Sequence, residues 1–145
     1  MFLGKYYHTL EAKGRISLPS EFRSLATDWV ITRGLDGGLF LIPAESFAKE
    51  VVTWETRSFT NKAHRDFIRL IANEAKHITP DAQGRVQLPE YLITFAHLQK
   101  DVVIVGSVTK IEVWDKQTYH SYVDGLEQTA EAIAEAATAE LNQNE

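Results

Sequence analysis

The chain predicts an α+β fold in which one strand–turn–strand–helix–hairpin unit is used twice around a shared core. Three observations carry this expectation. Residues 9–19 (TLEAKGRISLP) recur at 79–89 (TPDAQGRVQLP), an offset of 70 with Thr9/Thr79, Ala12/Ala82, Gly14/Gly84, Arg15/Arg85, Leu18/Leu88 and Pro19/Pro89 identical. The match continues with a two-residue slip, Arg33-Gly34 on Val105-Gly106 and Leu39, Leu41 and Ile42 on Ile111, Val113 and Trp114. Self-similarity at a fixed period marks a duplicated supersecondary unit. A unit of roughly 45 residues is near the limit below which a core closes alone, so the copies should share one. Finally, no Pro/Ser-rich linker parts them; the intervening residues change from strand to helical periodicity.

In order, Lys5–Leu10 and Arg15–Leu18 have strand spacing, with Ala12-Lys13-Gly14 as the turn of a hairpin. Pro19 suits the first position of a short helix over Ser20–Ala26, and Glu21 favours its first turn. Trp29–Thr32 and Leu39–Ile42 flank the glycine-rich connection 34–38. The second copy repeats the order: strands His77–Pro80 and Arg85–Leu88, helix Pro89–Phe95, then the hairpin Val102–Ser107 and Ile111–Asp115. Between the copies, Phe47, Val51 and Trp54 share one face of a helix over Ala44–Arg57. Ala63, Phe67, Leu70 and Ile71 do so over Asn61–Asn73, with a break at Ser58-Phe59-Thr60 and Thr60 or Asn61 as cap. At the end, Leu126, Ala130, Ile133, Ala137 and Leu141 stripe an alanine-rich helix whose like-charge ladder Glu127, Glu131 and Glu135 predicts fraying after about residue 137. The repeats thus occupy 5–47 and 74–119, with a helical linker at 48–73 and an acidic helix and tail at 120–145.

Composition narrows the function. Apolar content of 44% suits a globular domain, and no apolar run is long enough for a bilayer or a signal-peptide core. The lack of cysteine removes disulfides, thiolate metal sites and cysteine nucleophiles, and fits a reducing cytoplasm. The net charge is −5, yet six carboxylates and no Lys or Arg follow Lys116, so residues 1–116 sum to +1. Fields are screened over about 8–10 Å at physiological salt, so a local basic surface matters more than the global sum. The five histidines have no HxxxH or HxH spacing, and Gly34, Gly37 and Gly38 lack nucleotide-loop spacing. No metal, cofactor or small-molecule substrate is expected. Without a nucleophile–base pair or clustered acids, neither is catalysis.

What remains is the duplicated Gly-Arg turn. Glycine permits positive φ and close backbone approach, so Lys13 and Arg15 would project from a stiff tip. Arginine pairs two donors with guanine O6 and N7 in the major groove, while Lys13 can hold a phosphate. Glu11 and Asp81, four residues before each arginine, can accept a hydrogen bond that fixes its orientation. One such turn is ordinarily a hairpin with a surface ion pair. Two on a pseudo-twofold scaffold can address two stretches of one duplex.

The duplicated (D/E)AxGRhxLP pattern resembles the MraZ family of the SpoVT/AbrB-type swapped-hairpin superfamily. The resemblance spans the opening MFLGKYYHTLEAKGRISLP, the EFR of the first short helix, the glycine-rich hairpin near Gly34 and DAQGRVQLP. It implies two interlocked swapped-hairpin repeats forming a pseudo-twofold, β-barrel-like core. It also implies a cytoplasmic, nucleoid-associated regulator, usually a repressor, of the division and cell-wall gene cluster. Such a protein would bind tandem direct repeats in its own promoter as a ring-shaped homo-oligomer. Carried over by position, the DNA-binding residues are Lys13, Gly14 and Arg15 and Gln83, Gly84 and Arg85, supported by Glu11 and Asp81. Copy one departs with Glu11 for the usual Asp, and copy two with Gln83 opposite Lys13. Gln83 releases no counterion, so the first copy should contribute more electrostatic affinity. Assembly would supply what a few basic groups per chain cannot, with the acidic tail turned from the duplex. Two other functions compete: a non-DNA ring scaffold whose turns pair with acidic proteins, and an AbrB-like antitoxin, against which the duplication argues.

Other conspicuous residues have plainer readings. Trp29, Trp54 and Trp114 suit core packing or a subunit interface better than base stacking. His8 and His77 suit surface or strand positions, His8 within reach of a phosphate. Arg57, Lys62, Arg65 and Arg69 form a solvated basic side partnered by Glu55 and Asp66 more readily than auxiliary phosphate contacts.

Overall fold

A computed structural model describes residues 1–144, with only the helical backbone of Ser58; Glu145, the end of the acidic tail, lies outside the described residues. The strands are β1 (Lys5–Thr9), β2 (Arg15–Ser17), β3 (Trp29–Arg33), β4 (Leu39–Pro43), β5 (Lys76–Ile78), β6 (Arg85–Gln87), β7 (Asp101–Gly106) and β8 (Ile111–Asp115). The helices are α1 (Ser20–Arg23), α2 (Ala44–Ser58), α3 (Lys62–Ala72), α4 (Glu90–Phe95), α5 (Lys116–Glu127) and α6 (Ala130–Gln143). The α+β class and the repeated order are as expected.

Six strands form one antiparallel sheet in the order β1-β7-β8-β4-β3-β5, while β2 and β6 pair separately. The order is palindromic about β8–β4. Each copy's first strand joins the closing hairpin of the other copy: β1 lies along β7, with Tyr7 opposite Val103, and β5 along β3, with His77 opposite Val30. The two-residue slip is visible as well, since Trp29–Arg33 and Leu39–Pro43 of copy one correspond to Asp101–Gly106 and Ile111–Asp115 of copy two. The expected barrel does not close among the described residues. The sheet keeps two edges, β1 and β5, and the β2–β6 ribbon stands apart from it. Among the described residues β1 and β2 form no ladder; past the end of β1, an isolated bridge pairs Glu11 with Arg15 across the turn. The first turn therefore is not the tip of a paired hairpin.

One core fills the space between sheet and ribbon. Ile16 and Leu18 of copy one and Val86 and Leu88 of copy two are fully enclosed, with Phe22 from α1 and Leu92 from α4 beneath them. Trp29, Ile31, Leu39, Leu41, Ile104, Ile111 and Val113 supply the sheet's contribution. Neither copy closes this cluster alone, in agreement with the size argument. Four consecutive residues of β3, Trp29 to Thr32, are buried, as befits a strand covered on both faces. The Thr32 hydroxyl donates to the Ile71 carbonyl at 2.6 Å, tying α3 to the sheet.

The linker helices follow the periodicity. Trp54 lies edge-on between Phe47 (6.1 Å) and Phe67 (5.1 Å), so α2 packs on α3 through the expected face. Asn61 is the cap, its side chain accepting from the His64 amide. Most boundaries differ by a residue or so, and two differ for a local reason. The helix expected over Ser20–Ala26 ends at Arg23, where Leu25 N–H turns back to the Phe22 carbonyl. The strand expected at His77–Pro80 ends at Ile78, since proline has no N–H for the ladder. The C-terminal region forms two helices broken at Thr129, and α6 runs to Gln143 rather than fraying near residue 137. Alanine's helix propensity, summed over the segment, outweighs an ion ladder worth a few tenths of a kcal/mol per pair. The apolar stripe there stays exposed, with Leu126, Ile133 and Leu141 all open to solvent.

Candidate nucleic-acid interface

The short ribbon decides where the arginines point. Its register pairs Arg15 with Gln87, Ile16 with Val86 and Ser17 with Arg85. Side chains alternate along a strand. With Ile16 and Val86 turned into the core, Arg15 and Arg85 both leave the opposite face as diagonal neighbours. The two guanidinium groups therefore share one surface. Both are half-buried, Arg85 with 26% of its side chain exposed, so they are braced rather than loose.

The turns are built by reciprocal backbone bonds. Within each, the acid's N–H donates to the arginine's carbonyl (Glu11 to Arg15 at 2.8 Å, Asp81 to Arg85 at 2.9 Å). Each glycine N–H returns to the acid's carbonyl, Gly14 to Glu11 at 3.1 Å and Gly84 to Asp81 at 2.9 Å. The two are then stitched together: Leu18 N–H donates to the Gly84 carbonyl at 3.0 Å and Leu88 N–H to the Gly14 carbonyl at 2.8 Å. Gly14 (φ +75) and Gly84 (φ +79) sit in the left-handed region where a Cβ would be strained. Lys13 shares that conformation at φ 66, a strained state for a residue with a side chain, and its carbonyl is held by the Gln87 side-chain amide.

The acids behave differently. Asp81 acts as expected: Oδ2 accepts from Arg85 Nε at 3.0 Å, and Oδ1 from the backbone amides of Gln83 (2.9 Å) and Arg85 (3.0 Å). Glu11 does not orient Arg15. Its longer side chain makes no bond within its own turn and reaches across the ribbon toward Arg85 Nη1 at 3.7 Å. Arg85 thus faces two carboxylates, while among the described residues none pairs with Arg15. Arg15 Nε is buried without a hydrogen-bond partner, a donor the fold leaves unused. Lys13 and Gln83 are exposed at the tips.

Hydrogen bonds from the Arg85 amide above all, with the Gln83 amide and the Arg85 guanidinium adding to them, hold the Asp81 carboxyl below the usual aspartate range. A depressed folded-state pKa gives stability that is present above the unfolded value of about 3.9 and is lost as pH falls through the lower folded value. The second turn should therefore keep its geometry to below pH 3.9, reporting a midpoint under that of an exposed aspartate. Acid titration of the Gln83 and Arg85 amide resonances checks this, and a midpoint at or above the ordinary value refutes it.

Two residues that sequence reasoning missed cover the turns. Ile93 of α4 packs over Gly14, where its Cδ1 would lie 2.8 Å from an added Cβ. Arg23 of α1 packs over Gly84, and its Nη1 donates to the Gln83 carbonyl at 3.0 Å. They are equivalent under the 70-residue offset, a correspondence that could have singled them out.

The remaining residues fall into structural places. Trp29 and Trp114 are buried, the latter against Gly38, and Trp54 packs between helices. His8 lies half-buried on β1, and burial lowers its pKa; His77 is exposed on β5. Asp66 accepts from Lys62 (2.6 Å) and Arg69 (2.9 Å), so this part of the linker's basic side is internally paired. No helix is long and apolar enough to cross a membrane, and no cluster of three or more His, Asp or Glu suits a metal among the described residues.

Comparison with known proteins fits this duplicated architecture. A family model described as "MraZ protein, putative antitoxin-like" matches residues 1–70 and again residues 71–142. A protein of Carboxydothermus hydrogenoformans described as transcriptional regulator MraZ is 40% identical over 136 residues, covering 93% of this chain and 95% of the relative. One of Acetivibrio thermocellus, so described, matches at 40% over 136 residues with the same shares. One of Halothermothrix orenii reaches 39% over 137 residues, covering 94% and 96%. With both halves matched and near-complete coverage on each side, the chain belongs to the MraZ family.

Proposed function

We propose that this chain is a sequence-specific DNA-binding transcription regulator and not an enzyme. It acts in the cytoplasm on the nucleoid, as a repressor of the division and cell-wall gene cluster. The observation that carries the reading is the ribbon register, which puts Arg15 and Arg85 on one face with Lys13 at an adjoining tip. The relatives' description as transcriptional regulators supports it. Lys13 and the ribbon backbone would hold phosphates and fix register, while the two arginines read guanine-rich steps.

The strand exchange between copies supports treating the core as two interlocked swapped hairpins. The repeats are those at 5–47 and 74–119. Each chain engages one unit of a tandem direct repeat in its own promoter, and a ring of chains gains affinity through effective concentration. Exposed Met1, Leu25 and Val108 around an open cavity of about 650 Å³ offer apolar surface for such an assembly.

The test is the salt dependence of binding to DNA from upstream of the protein's own gene. Plotting log affinity against log salt, a DNA-binding regulator gives a steep negative slope of about 0.9 per phosphate contact. A flat plot leaves the non-DNA scaffold as the better reading.

A further inference from the structure

The second turn has a charge problem that its own residues do not solve. Around Arg85 stand two carboxylates, Asp81 with Oδ2 at 3.0 Å from Nε and Glu11 with Oε2 at 3.7 Å from Nη1. Gln83 at the tip is neutral. By its own residues and Glu11, this tip would meet a phosphate with a negative balance. The first turn has the opposite character, with Lys13 exposed and Arg15 free of any carboxylate among the described residues.

Arg23 changes that balance. It belongs to the first copy, ends α1, and extends across the pseudo-twofold to lie over Gly84. Its Nη1 donates to the Gln83 carbonyl at 3.0 Å, a neutral acceptor that leaves the positive charge intact. No carboxylate pairs with it among the described residues, and it is exposed. A guanidinium carries five N–H donors, so four remain for another partner. The equivalent position in the second copy is Ile93, an apolar cover for the turn that already has its lysine.

We propose that Arg23 is the phosphate-binding cation of the second turn, lent to it by the first copy. Each tip then meets the DNA backbone with one cation outside its arginine motif that no carboxylate pairs among the described residues, Lys13 at the first and Arg23 at the second, where it cancels the negative balance left by Asp81 and Glu11. The assignment rests on the DNA-binding reading above. It revises the expectation that the Lys13-to-Gln83 difference makes the second copy the weaker electrostatic partner. The Gly84 position fits the arrangement, since any side chain there would collide with the Arg23 guanidinium.

The experiment measures affinity for the promoter duplex at several salt concentrations with the full-length protein, in parallel with thermal unfolding. Arg23→Met keeps the cover over Gly84 and removes the charge; Arg23→Gln also keeps a donor for the Gln83 carbonyl. Each should shallow the log–log slope by about 0.9 per chain engaged, as Lys13→Met does, whereas Gln83→Ala should not. Arg23→Lys should retain the wild-type slope. Gln83→Lys in the Arg23→Met background should restore it by returning a cation to the same tip. A wild-type slope in folded Arg23→Met or Arg23→Gln overturns the assignment, whatever happens to the intercept, because Arg23 would then only cover the glycine. A flat slope in the wild type instead removes the DNA-binding reading itself.

Discussion

Replacing Arg15 and Arg85 together by alanine should weaken specific binding to the promoter by more than an order of magnitude while leaving the fold in place. A bidentate arginine–guanine pair is worth about 1–3 kcal/mol of discrimination, so the double variant loses roughly 2–6 kcal/mol, on the order of 30-fold or more. The single variants should not be equal. Arg15→Ala removes a side chain whose Nε has no partner within the protein, so the fold loses no bond through that atom. Arg85→Ala strips Asp81 and Glu11 of their shared cation and leaves two carboxylates facing the DNA backbone. It should therefore be the more damaging of the two for DNA affinity. Gel shifts with wild type, both singles and the double on DNA from upstream of the gene decide the matter. Undiminished binding by a folded double variant would remove the arginines from the interface.

The second large effect concerns stability. Ile16→Ala should cost about 2–5 kcal/mol, the range for truncating a buried isoleucine. Ile16 is completely enclosed and lies opposite Val86, also completely enclosed, at the centre of the ribbon that aims both arginines. A lowering of the melting temperature on the order of 10 °C follows for a chain of this size, measurable by calorimetry or circular dichroism. Specific DNA affinity should fall with it at temperatures where the protein remains folded, because a cavity under the ribbon loosens the bases of Arg15 and Arg85. Ser17→Ala, on the solvent face of the same strand, should change stability by less than about 0.5 kcal/mol. A melting temperature for Ile16→Ala within a degree or two of wild type would mean that the two copies do not share this core.

The two effects rest on one structural relation. The ribbon is a three-residue ladder on each side, too short to be stable in isolation. It holds its shape because Ile16, Val86, Leu18 and Leu88 are buried under it and because each turn's glycine carbonyl is capped by the other copy's leucine N–H. Orientation of the guanidinium groups is thus coupled to the packing of the whole molecule.

Much of this was legible in the chain. The duplication, the strand and helix order, the positive-φ glycines of both turns and the Asp81–Arg85 pair all follow from residues close together in sequence, whose preferences are set by local sterics and short-range hydrogen bonds. Family membership was legible for the same reason, as a local motif present twice. What only the tertiary structure decided are relations across the pseudo-twofold axis. The Glu11 side chain leaves its own turn for Arg85, Arg23 and Ile93 exchange covers between copies, and the ribbon stands apart from an open sheet instead of closing a barrel. These depend on which strand lies beside which, and so on how one chain divides a single apolar core between two halves. Local preferences carry no information about that division, since burial of Ile16 against Val86 joins residues 70 positions apart.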